Sequence, residues 1–202
     1  MHDIILTTLN GRYSHTSIGL RYLYANLKEL QNTTIIKEYV TNERMNDIAQ
    51  RILSYNAKIV AIGVYIWNAL DVSQLIQVIK KVSPKTIIIL GGPEVSYEPF
   101  RVDLSWADYI IQGEGEEHFY TLCRDILNGK EIKEKIFYPK MLDLSTIKLP
   151  YEYYNENDIK NRYIYVEASR GCPFTCEFCL SSIDKKVRNF DLDLFLENMQ
   201  ML

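Results

Sequence analysis

The chain has 202 residues, 47% of them hydrophobic and 24% charged, which excludes a disordered chain and leaves room for one generous domain or two small ones. A net charge of −3 gives no sequence-wide basic field, which argues against nucleic acid or an anionic membrane surface as a partner. The longest apolar stretch, Ile59 to Trp67, falls far short of the roughly 20 residues that span a bilayer, and Asp3 stands where a signal peptide would be basic, so the chain reads as cytoplasmic with no membrane span.

Asp3 to Leu9 is short, rich in β-branched residues and closed by Asn10-Gly11, which predicts the first strand. Ser17 to Leu30 places Ile18, Leu20, Tyr22, Leu23, Leu27 and Leu30 near a 3.6-residue period behind a capping serine, a helix. Thr33 to Val40 reads as a second strand, Asn42 to Tyr55 as a second helix, and Lys58 to Trp67 as a third strand. A helix over Val72 to Val82 stops near Pro84, Thr86 to Leu90 is the fourth strand and Asp108 to Gln112 the fifth. Glu116 to Leu127 is a helix ended by Asn128-Gly129. Strands apolar on both faces and separated by helices belong to a covered parallel sheet, so residues 1–130 are expected to form a doubly wound, Rossmann-like α/β domain with five strands. Residues 131–161 mix charges, prolines and tyrosines without a period and read as a linker. A strand over Tyr163 to Glu167 and a helix over Asp191 to Leu202 then predict one β–α unit of a second domain, residues 162–202.

Three of the four cysteines lie in Cys172-Pro-Phe-Thr-Cys176-Glu-Phe-Cys179, spaced C-x3-C-x2-C, with Cys123 far upstream. Such clustering points to metal rather than to a disulfide framework. A structural zinc site needs four protein ligands, whereas three thiolates and a vacant position suit a 4Fe–4S cluster with one iron open to a small molecule. A zinc knuckle completed by Cys123 or by a partner, or a chance cluster of buried thiols, is the competing reading, and Cys123 itself, beside Leu122 and Ile126, is most simply a buried thiol.

In a parallel α/β domain ligands bind at the carboxyl ends of the strands, so the following loops carry the candidates. They are Asn10-Gly-Arg-Tyr-Ser-His-Thr-Ser17, Tyr65-Ile-Trp-Asn68, Gly91-Gly92-Pro93-Glu94 and Gly113-Glu-Gly-Glu116. None follows the first strand as G-x-G-x-x-G, which argues against NAD. Their glycine pairs permit close backbone approach to a bulky ligand.

The cysteine motif, with Phe178 at its aromatic position and a strand just before it, resembles the hallmark of the radical S-adenosylmethionine (SAM) superfamily. With the loops upstream, nearly the whole chain resembles the N-terminal portion of class B members, in which a cobalamin-binding domain precedes the radical SAM barrel. The resemblance implies that Cys172, Cys176 and Cys179 hold the cluster, that its fourth iron chelates SAM, and that one-electron reduction releases a 5′-deoxyadenosyl radical. It also implies an electron donor such as flavodoxin or ferredoxin and a small-molecule substrate. Asn10, Ser14, His15, Thr16, Tyr65, Asn68, Gly91, Gly92 and Glu114 fall where the family surrounds cobalamin, and Phe178 where it contacts cofactor. The subgroup with the most similar opening loop includes relatives of the anaerobic magnesium-protoporphyrin monomethyl ester cyclase and methyltransferases. Catalytic residues stay unassigned, as do the roles of Arg170-Gly171 and Val187-Arg188.

The chain departs from the family pattern D-x-H-x-x-G, because Tyr13 precedes His15 in place of aspartate and Gly19 falls one position late. Either cobalamin binds without a protein imidazole on cobalt or the domain keeps the fold and binds nothing. His15 also has the simpler reading of a hydrogen-bonding turn residue. Glu114, Glu116 and Glu117 are explained by helix N-terminal charge, and the tyrosines by packing between domains. Only 23 residues follow Cys179, whereas a barrel needs on the order of 200, so the chain is not expected to turn over SAM by itself. A non-catalytic cobalamin-binding or interaction domain is the second reading, and a zinc-binding adaptor the third.

Overall fold

The computed structural model describes residues 2–180 and 186–202; residues 181–185, inside the expected second unit, lie outside the described residues. The described strands and helices are, in chain order, β1 (Ile4–Asn10), α1 (Ile18–Ala25), β2 (Thr34–Val40), α2 (Met45–Leu53), β3 (Ile59–Gly63), α3 (Ala69–Val82), β4 (Ile87–Gly91) and α4 (Pro93–Ser96). They continue with β5 (Tyr109–Ile111), α5 (Glu116–Leu127), β6 (Ile136–Phe137), α6 (Glu156–Asn161), β7 (Ser169–Arg170), β8 (Arg188–Asn189) and α7 (Leu192–Met201). The sheet is parallel throughout with order β2-β1-β3-β4-β5-β6, so the chain winds outward in both directions from the β1/β3 boundary. The expected doubly wound α/β architecture is present with six strands rather than five. The extra strand, β6, comes from the stretch read as linker; two residues are too few to show a period.

Alternation along the strands assigns the two faces. Ile5, Leu9, Val60, Ile62, Ile88 and Leu90 pack under α2 and α3, whereas Ile4, Leu6, Ala61, Ile89 and Ile111 pack under α1 and α5. Because a parallel strand is covered on both faces, β3 reads as a continuous apolar run, while β1 is buried at every position with Thr7, Thr8 and Asn10 among its apolar residues. A third cluster joins Tyr22 of α1 to Leu149, Tyr151, Tyr154 and Phe190, so the 142–154 region and β8's flank lie against the outer side of α1.

Several boundaries differ from the sequence expectation for local reasons. The first helix ends at Ala25, not Leu30, because Asn26 N–H and Nδ2 both bond Tyr22 O and Lys28 adopts φ +51°; a 3-10 turn over Lys28–Thr33 follows. β3 ends at Gly63, not Trp67, because Asn68 Oδ1 accepts from Tyr65 N–H at 2.8 Å and folds residues 65–68 into a turn. Tyr163 to Glu167 is not a strand: among the described residues it makes one isolated bridge, Tyr163 with His15, and the strand proper is Ser169–Arg170, antiparallel to Arg188–Asn189. In α7, Phe195 and Met199 pack on the third cluster while Leu192 and Leu194 face solvent.

Candidate functional site

Two cavities open at the carboxyl edge of the sheet. The first, about 530 Å³, lies at the β1/β3 boundary between the 10–18 loop and the Tyr65–Trp67 turn. The second, about 570 Å³, lies between the sheet and helices α1 and α5. Ile18 and Tyr65 line both. A Cβ on Gly19 would stand 3.3 Å from the Tyr65 hydroxyl and one on Gly63 3.3 Å from its ring, so the Tyr65 side chain lies over both glycines and partitions the cavities. It stacks on Trp67 at 4.6 Å between ring centroids, and burial pushes its hydroxyl up from the ordinary phenol range.

Small residues open the floor of the larger cavity toward its carboxyl end. Ala61 pairs with Ile89 and Gly63 with Gly91 across β3 and β4, all on the face turned to α1 and α5. Gly92 follows at φ +108°, where a Cβ would stand 2.6 Å from Val64 O, so only glycine fits. A flat, bulky ligand can therefore lie against backbone at this edge. The glycine pairs seen in the sequence thus lie at the carboxyl edge of this floor.

The outer wall of this cavity comes from the far end of the chain. Glu167, Ser169, Arg170 and Gly171, which lead into the cysteine motif, line it opposite Glu114 and Glu116. Arg170 Nη2 donates to Glu116 Oε1 at 2.6 Å, its Nε donates to Glu167 at 3.0 Å, and its Nη1 stands 3.6 Å from Glu114. Arg188, which faces Arg170 across the β7–β8 pair, forms an ion pair with Glu114 and donates to Leu142 O at 2.8 Å. Both roots of the cysteine loop are thus tied to the 114–116 segment. Burial raises the Glu114 carboxyl, but Arg188, the Leu142 N–H and the Arg170 charge outweigh it and hold it below the usual carboxylate range. Burial likewise opposes the Arg170 charge, yet Glu116 and Glu167 more than offset it, so the guanidinium stays protonated. Helix N-terminal charge is not the whole account of Glu114 and Glu116: both are also ion-pair partners of arginines more than fifty positions away.

A second charged cluster fixes the 10–17 loop. Glu38 on β2 accepts from Arg21 at 3.2 Å and Arg162 at 2.7 Å, and it also takes the Ser17 N–H and Asn10 Nδ2. Asp158 on α6 receives Arg21 at 2.7 Å and Arg162 at 2.9 Å. All four side chains are at most 8% exposed, so two cations and two anions are buried together and balanced. Arg162 also donates to the Tyr13 and His15 carbonyls, which sets the course of the loop.

The residues singled out in the sequence divide accordingly. Asn10, His15, Thr16 and Tyr65 line the smaller cavity, and Tyr65, Gly91, Gly92 and Glu114 the larger. His15 Nδ1 lies 2.5 Å from the Tyr165 hydroxyl, and Thr16 Oγ1 donates to Tyr163 O at 2.7 Å. Ser14 lines neither cavity; its carbonyl accepts from Tyr163 N–H at 2.7 Å. Asn68 also lines neither: it is fully buried, and its Nδ2 donates to Leu9 O at 3.0 Å and to Thr8 Oγ1 and Gly63 O at 3.2 Å. It positions the Tyr65 turn instead of meeting a ligand. Gly63, Glu116 and Arg170 join the wall without having been marked as contacts in the sequence.

Cys172, Cys176 and Cys179 share one loop, where Cys179 N–H donates to Cys176 O at 3.1 Å, and Phe178 is 94% exposed beside them. Among the described residues no three His, Cys, Asp or Glu side chains stand together as a metal-holding group. As a donor set, three thiols within eight residues suit an iron–sulfur centre by chemistry. Cys123 is buried in α5, and burial pushes its thiol up, which makes it inert.

Among the described residues no helix is long and apolar enough to cross a membrane. Residues 4–122 match the family model described as "B12 binding domain". The chain is 25% identical over 209 residues to an uncharacterized methyltransferase of Pyrococcus horikoshii, covering 92% of this chain and 45% of that protein. It is 25% identical over 166 residues to the anaerobic magnesium-protoporphyrin IX monomethyl ester cyclase of Cereibacter sphaeroides, covering 70% of this chain and 27% of that protein. Among solved structures, the cobalamin-dependent S-adenosylmethionine radical enzyme OxsB superposes with a TM-score of 0.63 at 14% identity, over 98% of this chain and 31% of that one, which shows a shared fold. The chain thus spans less than half the length of these relatives.

Proposed function

The chain belongs to the B12-binding domain family, and from that premise we propose that it binds cobalamin in the cavity under α1 and α5 as the N-terminal part of a radical SAM methyltransferase or cyclase. The observation that carries this reading is the continuity of the two sites: the glycine-floored cavity has for its outer wall the segment that runs into Cys172. In the proposal Cys172, Cys176 and Cys179 hold a 4Fe–4S cluster, which is fed by a small redox protein of the flavodoxin or ferredoxin type. When bound, the two cofactors supply one-electron cleavage of SAM and methyl transfer or oxidative cyclisation of a small molecule.

The chain's own residues bind and orient. Gly63, Gly91 and Gly92 let the ligand approach backbone, and Tyr65 closes the inner side of the cavity. Arg170 and Arg188 tie the roots of the cysteine loop to the cavity wall, and would so hold a cluster on that loop beside a ligand in the cavity. His15 lines the smaller cavity and not the one under α1 and α5, in keeping with cobalamin held without a protein imidazole on cobalt. The test is an equilibrium titration with hydroxocobalamin followed by absorbance. A saturable spectral change supports the reading, and an unchanged spectrum at saturating ligand removes cobalamin from it.

A further inference from the structure

Glu116 differs from the other acidic side chains on the wall of the larger cavity. It is the first residue of α5 and only 5% exposed, and it lines that cavity. Its Oε1 accepts from Arg170 Nη2 at 2.6 Å, whereas its Oε2 is buried with no hydrogen-bond partner among the described residues. On Glu114, by contrast, both oxygens are engaged, one by Arg188 and the other by Arg188 and the Leu142 N–H. Glu167 gives one oxygen to Arg170, and its side chain is 32% exposed, so water satisfies the rest. A buried carboxylate oxygen with nothing to accept carries its full desolvation penalty, and natural sites keep such a group where a ligand relieves it.

We propose that Glu116 Oε2 accepts a hydrogen bond from the molecule that fills the cavity, while Oε1 of the same carboxylate anchors Arg170 at the root of the cysteine loop. Occupancy of the cavity and placement of the loop are then coupled through one side chain. The carboxylate charge is already met by Arg170 and by the amino end of α5, so the matching group is a neutral N–H or O–H donor rather than a second cation. A phosphate placed there would be repelled. The inference rests on the cobalamin reading, and cobalamin offers that chemistry from two sources: the amide arms of the corrin and the ribose hydroxyl of the nucleotide tail. Because coupling is reciprocal, a ligand that holds Glu116 also steadies Arg170.

The experiment titrates hydroxocobalamin, and in parallel cobinamide, which lacks the nucleotide, into the full chain. Wild type is compared with Glu116→Gln, Glu116→Asp and Glu117→Gln, with hydrogen exchange followed over residues 166–171. Gln keeps the shape and an acceptor for Arg170 but turns an amide N–H2 toward the ligand, Asp withdraws the oxygens by one methylene, and Glu117 is an exposed neighbour on the same helical turn. Both Glu116 variants are expected to weaken hydroxocobalamin binding by about tenfold or more, as for loss of a hydrogen bond to a charged group, and Glu117→Gln to leave it unchanged. Saturating ligand should slow exchange in 166–171 of wild type but not of Glu116→Gln. A penalty that persists with cobinamide assigns the donor to the corrin amides, and one that vanishes assigns it to the ribose. Wild-type affinity in both Glu116 variants overturns the inference while leaving cobalamin binding intact. Failure of wild type to bind at all is the separate failure of the cobalamin reading.

Discussion

Arg170 donates to Glu116 at 2.6 Å across 54 positions of sequence, joining the residue that leads into the cysteine motif to the first residue of the helix that walls the cavity. The pair is largely buried, with side-chain exposures of 11% and 6%. Breaking one half of such a pair leaves the other charge without compensation. Arg170→Met is therefore expected to destabilise the chain by about 3 kcal/mol in urea unfolding, and Glu116→Gln in the same background to cost much less than it does alone. Additive effects would show that the two side chains do not act as a pair.

The Arg21–Glu38–Asp158–Arg162 cluster gives stability an acid limit. Burial raises the Asp158 carboxyl, but Arg21 and Arg162 outweigh that and hold it below its ordinary value. Glu114 is depressed in the same sense by Arg188, the Leu142 N–H and Arg170. A carboxylate whose folded-state pKa lies below its unfolded one stabilises the fold above the unfolded value, and that contribution is lost as pH falls through the folded one. The thermal midpoint should stay level from neutral pH to about 5 and drop below about 4, where unfolded carboxylates take up protons. Asp158→Asn should lower the midpoint at pH 7 and flatten the acid limb. An unchanged acid limb in that variant would place the sensitivity elsewhere.

Asn68 is expected to matter for stability rather than for affinity. Its amide joins the ends of β1 and β3 to the Tyr65 turn through four hydrogen bonds. Asn68→Ala strands several buried partners and should cost about 3 kcal/mol in chemical denaturation. Any change in hydroxocobalamin affinity should be small in the variant molecules that remain folded. A tenfold loss of affinity with unchanged stability would make Asn68 a ligand contact after all.

The legible parts of this fold are those with local causes. β3 and β4 announce themselves because burial on both faces demands unbroken apolar runs, β1 because it is rich in β-branched residues and closed by Asn10-Gly11, and α5 because Glu116 to Leu127 keeps one period between an acidic start and Gly129. Gly91-Gly92 and the 10–17 loop could be placed at the ligand edge because carboxyl-end loops carry sites in parallel sheets. The roles of Glu114 and Glu116 were not legible, since helix N-terminal position explains an acid locally while Arg170 and Arg188 lie far along the chain. Tyr163 to Glu167 looks like a strand because it is apolar and β-branched, yet its neighbours are the 10–17 loop and Tyr151 and Tyr154, not a second strand. Asn68 looked like a ligand contact because it follows β3; the satisfaction of all its polar atoms could only be seen in three dimensions.

The cysteine loop carries its own prediction. Anaerobic reconstitution of the chain with iron and sulfide should yield about four irons per chain, with the absorption and reduced-state paramagnetic signal of a 4Fe–4S centre. Cys172→Ser, Cys176→Ser and Cys179→Ser should each abolish it, while Cys123→Ser, which alters a buried thiol inside α5, should retain it. A product that holds zinc and no iron would point to the adaptor reading.

The central claim is that the cavity floored by Gly63 and Gly91 is the cobalamin site, and filling that floor tests it most directly. A Cβ at Gly91 meets nothing closer than Ile111 O at 3.6 Å, so Gly91→Val is compatible with β4 while its methyl groups occupy the cavity. Titration of hydroxocobalamin into wild type and Gly91→Val, with the folded state of each verified by its urea midpoint, should show saturable binding to wild type and at least a tenfold loss in the variant. Equal affinity in the two would place the ligand somewhere other than this cavity and contradict the claim.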